Sequence, residues 1–185
     1  MEKITQERII ATASQLIEET GSAKISLTQI ATKLGVTHAA IYKHFRNKQA
    51  LWVAVTSAWF KKNIIEQVQL NEDTTVNKEE QLHDWLWDFV NAKKGAFNKD
   101  PKMFLLNTQY VENNSQALHS VLIPAYQIIN QIMQYNDPNF ERAEAILAAF
   151  SIFTLANFKD SWNLPDYQRR FEFLWKLVKN GIEEL

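Results

Sequence analysis

The chain contains no cysteine. That excludes disulfide frameworks, thiolate zinc sites and cysteine nucleophiles, and it is the usage expected in a reducing cytoplasm. Glycine and proline are scarce, at four each, in a text otherwise rich in helix formers. Strand signals are weak, because period-2 alternation never persists. No uninterrupted apolar run approaches a membrane span. The opening MEKITQERI is charged and lacks a signal-peptide core. Also missing are a glycine-rich phosphate loop and an HExxH pair. His83 with Asp84 and Asp88 comes nearest to a metal cluster, but Asp88 lies five residues on, an awkward reach on a helix. The expectation is a soluble cytoplasmic protein with no catalytic residue, no metal and no cofactor.

What is present is apolar enough to fold: 46% hydrophobic residues over 185 positions suffice for a buried core. The formal net charge of −1 conceals an asymmetry. Between Thr20 and Ile65 there is no Asp or Glu, whereas Lys24, Lys33, Lys43, Arg46, Lys48, Lys61 and Lys62 all fall there, with His38 and His44. Such a split suits one end of the molecule to a polyanion, although a merely solvated basic face has the same composition.

The periodicity predicts an all-α protein of about nine helices. Thr5 caps a first helix that stops at Gly21. Ser26 with Gln29 forms a capping box for a second, whose stripe is Leu27, Ile30, Ala31 and Leu34. Gly35 permits a sharp turn, and Thr37 caps a third helix, with Val36 and Ile41 as a hydrophobic staple. Asn47 caps a fourth, running from 48 to about 69. Polar residues 71–78 form a loop. Further helices are expected from 78 to about 97, from Pro101 to about 110, and from 115 to about 135 with a kink or interruption at Pro124. The last two run from Pro138 to about 158 and from just after Pro165 to about 181. The two Asp-Pro pairs, at 100–101 and 137–138, read as N-cap followed by first helical residue.

Two short helices joined by a glycine-containing turn form a helix-turn-helix unit. Its second helix hides Ile41 and Phe45 and leaves His38, Ala39, Tyr42 and Lys43 on the other flank. Small Ala39 and Ala40 allow close approach to base edges. The polar groups can donate to phosphates or bases, and Lys48 stands where free helix-start N–H groups also favour an anion. Arg46 and Lys24 add attraction. The exposed flank is therefore fitted to a DNA major groove.

The stretch SLTQIATKLGVTHAAIYKHFRNKQAL resembles the DNA-binding domain of the TetR family of bacterial regulators. The Ile-Ala pair, the Gly-Val-Thr turn, Tyr-x-His-Phe and Lys-x-x-Leu follow that family's pattern, over roughly residues 5–55. The resemblance implies a helix-turn-helix domain at 1–47 and an effector-binding and dimerisation domain at 48–185. It implies a homodimer on a palindromic double-stranded operator, released by a small-molecule effector. Carried over residue by residue, Thr37, Tyr42, His44 and Lys48 hold the DNA backbone, and His38, Ala39, Ala40 and Lys43 face bases. Thr28 matches a DNA-contacting position, but it is not arginine and cannot make a bidentate guanine contact.

The rest of the chain is aromatic-rich. An apolar or aromatic effector is expected among Trp85, Phe89, Phe104, Thr108, Tyr110, Tyr126 and Asn130, with Asn91 a further polar anchor; core packing explains the same aromatics. Small residues around 143–151 and the stripe of the last helix suggest a two-fold interface through Leu147, Phe150, Phe171, Leu174 and Val178. A sequence-blind architectural DNA binder is the alternative function.

Overall fold

The structure, a computed structural model, describes residues 4–70 and 76–183. Among these residues every regular element is helical. The α-helices are α1 Gln6–Thr20, α2 Leu27–Leu34, α3 His38–Tyr42, α4 Lys48–Asn63, α5 Lys78–Lys99, α6 Pro101–Asn107, α7 Ser115–Met133, α8 Glu141–Ala149, α9 Ser151–Thr154 and α10 Tyr167–Glu183. Of the loop expected at 71–78, residues 71–75 lie outside the described residues. Asn77, on its far side, caps α5 by accepting the Glu80 N–H at 2.8 Å.

Side chains next to the helix starts set the first boundaries. Thr5 accepts from the Arg8 N–H, and Ser26 and Gln29 form a reciprocal capping box. Gly21 and Gly35 both adopt φ +66°, the left-handed conformation that ends α1 and α2. Asn47 Oδ1 accepts from the Ala50 N–H at 2.8 Å and starts α4.

Later boundaries depart from the periodicity, each for a local reason. The fourth helix ends at Asn63, before a 3-10 turn at Ile65–Gln67. There the Gln67 side-chain amide donates to the Lys62 carbonyl at 3.0 Å, satisfying an acceptor the helix end leaves open. Pro101 takes the first position of α6, but Asp100 makes no side-chain cap. After Asn107 the winding widens into a π turn, Thr108–Glu112. The Glu112 carboxylate accepts from Asn107 Nδ2 at 2.8 Å and from Thr108 Oγ1 at 3.0 Å across that turn.

Pro124 does not interrupt α7, which runs through it. Buried Val121, Ala125, Tyr126 and Ile129 flank it, and their packing outweighs one missing backbone bond. The second Asp-Pro pair does not open a helix. Asp137 instead accepts from the N–H groups of Asn139 and Arg142, and α8 begins at Glu141. The helix expected from 138 to about 158 is broken into α8, α9 and a 3-10 turn at Ala156–Ser161. The breaks let Phe150, Phe153 and Trp162 all reach the core, and the Trp162 indole donates to the Ile152 carbonyl at 3.0 Å.

The chain folds into two compact units. The first comprises the described residues up to Phe60 together with Asp100–Val121. Its core joins Ile9, Ala13 and Ile17 of α1, Ile30 of α2, Ile41, Phe45, and Leu51, Trp52 and Val55 of α4. Met103 and Leu106 of α6 belong to the same cluster. The second unit comprises Lys61–Lys99 and the described residues from Leu122 onward. Its core is aromatic. Phe171 of α10 packs on Phe150 and Phe153 at 5.3 and 5.7 Å between ring centroids. The Tyr167 hydroxyl donates to the Val90 carbonyl of α5 at 3.2 Å. Burial there raises the Tyr167 phenol well above its ordinary pKa, so it stays protonated as a donor.

Candidate nucleic-acid interface

The turn into α3 is built from the backbone outward. The Val36 N–H donates to the Ala31 carbonyl at 3.0 Å, across Gly35. Thr37 then accepts from the Ala40 N–H at 3.2 Å, so its hydroxyl faces the start of the helix. Only five residues follow in α3, which fixes what it can present. Ile41 and Phe45 are buried in the core of the unit. His38, Ala39, Tyr42 and Lys43 are exposed, and Ala40 and His44 are half-buried. The His38 and Tyr42 rings meet edge to face at 5.2 Å, forming one polar-aromatic ridge.

The chain just past α3 is held by a neighbouring helix. Gln6 of α1 donates its side-chain N–H to the His44 carbonyl at 2.8 Å, fixing where the helix stops. Gln6 carries no signal of this role in the sequence. Lys48 is exposed at the first position of α4, and Thr28 is exposed near the start of α2. Lys24 and Arg46 are exposed as well. Lys33 is paired with Glu19 across α1 and α2. The hydrogen bond from Lys33 holds the Glu19 carboxyl below the ordinary carboxylate value. Glu7 is also held low, first by a hydrogen bond with its own backbone and then by the Thr5 hydroxyl.

The surface of this unit thus combines a capped helix start, a ridge of ring nitrogen and phenol, an amine and the exposed cations Lys24, Arg46 and Lys48. Donors of these kinds bind phosphate oxygens, and side chains on a helix in a major groove reach base edges. Alanine at 39 leaves room for thymine methyl contact.

A second layer packs against α4 and the end of α1, and periodicity alone does not reveal it. The Tyr110 ring stacks on Trp52 of α4 at 6.0 Å, and the Tyr110 carbonyl accepts from the Gln49 side chain. Phe104 meets Trp59 edge to face at 5.4 Å. Lys102 brings its ammonium beside Gly21, at the C-terminal end of α1, where a cation complements the helix dipole. Phe104, Thr108 and Tyr110, expected around an effector, therefore have neighbours within the first unit.

The other expected effector residues lie in the second unit. Trp85 and Phe89 are buried and stacked, with centroids 5.1 Å apart. Tyr126 is buried, and burial followed by the charge of Glu144 pushes its hydroxyl up to about 12. Asn91 is half-buried and donates to the Trp87 carbonyl at 2.8 Å. Asn130 donates to the Asp137 carbonyl at 2.7 Å, and its own carbonyl oxygen is buried without a partner among the described residues.

Of the residues expected at a dimer interface, Leu147, Phe150 and Phe171 are core of their own unit. Their apolar character is spent on internal packing, as the ring contacts of Phe171 make plain. Leu174 and Val178 are half-buried. The outward apolar groups of the same helices are others: Ala145, Ala148 and Ala149 on α8, Ile152 on α9, and Phe173 and Leu177 on α10. Phe173 and Leu177 are 61% and 79% exposed.

His83, considered with Asp84 and Asp88 for metal, pairs differently. Nδ1 lies 2.9 Å from Asp84, and Nε2 lies 3.2 Å from Glu172 of α10. The ring packs against Phe171 and Trp175. This is a polar clasp between α5 and α10.

Comparison with known proteins matches residues 9–55 to the family described as bacterial regulatory proteins, tetR family. The tetracycline repressor protein class C of Escherichia coli is 33% identical over 73 residues, 40% of this chain and 33% of the repressor. The class G repressor of Vibrio anguillarum is 28% identical over 97 residues, 52% of this chain and 46% of that protein. The chain therefore spans about a third to under a half of the length of these relatives. Likeness in fold extends further. BioQ, solved with its double-stranded DNA operator, aligns with a TM-score of 0.57 at 20% identity, covering 99% of this chain and all of BioQ. ActR of Streptomyces coelicolor, solved in complex with actinorhodin, aligns at 0.56 and 17% identity, covering 98% of this chain and 97% of ActR.

Proposed function

We propose, on the premise that the chain belongs through residues 9–55 to the tetR family of bacterial regulatory proteins, that it is a ligand-responsive transcriptional regulator. In this reading it is a cytoplasmic repressor that binds a palindromic operator as a homodimer and is released by a small apolar or aromatic effector. One observation carries the reading: α3 buries Ile41 and Phe45 and leaves His38, Ala39, Tyr42 and Lys43 in solvent. A helix so divided has a face free for a groove. Tyr42, His44, Lys48 and the Thr37 hydroxyl hold phosphates, Thr28 supports them from α2, and His38, Ala39, Ala40 and Lys43 face bases. BioQ, alike in fold, was solved on its operator.

The homodimer would use the outward apolar groups of α8, α9 and α10, which a second copy related by a two-fold axis covers without leaving an open edge. Two reading heads about 34–36 Å apart then match successive major grooves. Sedimentation at micromolar concentration tests this, and a monomer overturns it. No described helix is long and apolar enough to cross a membrane.

The effector is assigned to the aromatic second unit, where Trp85, Phe89 and Tyr126 supply apolar faces. ActR, alike in fold, was solved with a small-molecule ligand, actinorhodin. An effector releases DNA only by its differential affinity for the two states of the dimer. A typical coupling of about 1–3 kcal/mol corresponds to roughly 5–150-fold.

Selection of bound duplexes from a random pool, with and without candidate effectors, tests the whole reading. The expected result is a palindromic consensus lost on effector addition. Equal retention of all sequences, with strong salt dependence, would instead identify an architectural DNA binder.

A further inference from the structure

The peptide group between His44 and Phe45 is bonded at both ends. Its N–H, that of Phe45, donates to the Ile41 carbonyl at 3.0 Å. Its oxygen, that of His44, accepts from the Gln6 side-chain amide at 2.8 Å. One residue earlier, the His44 N–H donates to the same Ile41 carbonyl at 2.9 Å. A rigid peptide plane held by its hydrogen on one side and its oxygen on the other cannot turn without breaking a bond. The Phe45 ring, buried in the core, anchors the chain just beyond that plane. The direction in which the His44 side chain leaves the backbone is therefore set by α1 and α3 together.

α1 is a firm post for this tether. Gln6, Ile9, Ala13 and Ile17 fall at i, i+3, i+7 and i+11, one face of a helix. Ile9 and Ala13 are fully buried and Ile17 nearly so. Gln6 is the exposed polar end of that stripe, so burial of the stripe brings its amide to the chain leaving α3. Glu7 shows the same closeness. Its carboxyl is held low first by its own backbone, then by Thr5, and further by the charge of His44. The Gln6 bond lies at the surface, so water can take the amide's place as donor. Water cannot take its place as a fixed point. We propose that Gln6 is a positioning residue of the DNA reader: it holds the His44 backbone so that the imidazole meets a phosphate. Such contacts fix the register of a protein on its duplex. The inference rests on the regulator reading above. It adds a determinant of affinity that precedes the stretch matched to the family, residues 9–55.

The test uses the whole chain and duplex recovered by selection. Gln6→Met keeps a side chain of similar length and helix propensity and removes the donor. It should weaken duplex binding about tenfold and move the thermal unfolding midpoint by no more than about 2–4 °C. His44→Ala separates positioning from direct contact. In that background Gln6→Met should weaken binding by less than about twofold, because no ring is left to place. Equal losses in the two backgrounds overturn the inference, since a Gln6 that touches DNA, or merely stabilises the head, acts without His44. Should His44→Ala fail to fold, the His44 ring resonances decide by NMR. Saturating duplex should shift them in the native chain and shift them less in Gln6→Met; equal shifts overturn the inference. A native chain that retains no duplex loses the regulator reading and this inference with it. A chain that binds duplex equally well with and without the Gln6 donor keeps that reading and loses only the inference.

Discussion

In the first unit, a residue beside each of the first four helix starts decides where the helix begins. Thr5, Ser26, Thr37 and Asn47 each accept an N–H three residues on. In the second unit Asn77 caps α5 in the same local way, but the later structural decisions come from further away. Asp137 reaches Arg142, Trp162 reaches Ile152, Tyr135 reaches Ile182, and His83 reaches Glu172. The first unit states its fold locally and keeps one helix flank free. The second spends its side chains on one another. A reading head can be recognised from a short text because its instructions are short-range, whereas a body made of distant pairings cannot.

The contrast can be broken or sharpened by substitution. The largest effect is expected from Phe45→Ala, which opens a cavity under α3. A loss of about 3–5 kcal/mol should appear in denaturant unfolding, with loss of duplex binding. Leu106→Ala comes next and tests how local the first unit is. It should cost about 2–5 kcal/mol of the same transition, because Leu106 lies in the core under α1 and α4. An unchanged transition would mean that the unit is complete without α6.

His38→Ala and Lys43→Ala should leave stability within about 0.5 kcal/mol, since both side chains are exposed. Each should alter discrimination among operator variants by about 1–3 kcal/mol in competition binding. Lys48→Ala should instead weaken all sequences alike and lower the salt slope by about one. Ser26→Ala should remove about 1 kcal/mol by breaking the capping box, read by thermal unfolding.

The smallest effect concerns Glu19 and its hydrogen bond from Lys33. The folded carboxyl titrates below its ordinary value of 4.5. Its contribution is therefore present above that value and lost as pH falls through the lower folded one. Glu19→Gln should remove that contribution on the neutral side, where it is fully present, leave stability below the folded value unchanged, and so flatten the slope between them in thermal unfolding measured against pH.

The caps, the two left-handed glycines, the Ile41 and Phe45 anchors and the exposed flank of α3 were all legible, because each depends on neighbours within four positions. The end of α4, the fracture between α8 and α9 and the unbroken run through Pro124 were not. Each depends on side-chain bonds and packing that exist only in the folded unit, and periodicity carries no record of that. The apolar stripe of α10 illustrates the limit. Phe171 and Phe173 are both phenylalanine, yet one is enclosed and the other faces outward. Only the packed unit distinguishes them.

The placement of α6 in the first core also constrains synthesis. Gln49 and Tyr110 are 61 residues apart in the chain. At about 5–20 residues per second, the ribosome needs roughly 3–10 s to make the segment separating the end of the first stretch from Tyr110. During that interval the nascent head has Trp52 made but its covering ring still untranslated. Chaperones that shield apolar surface would find their longest opportunity there, and a pause in translation between the two stretches would prolong it.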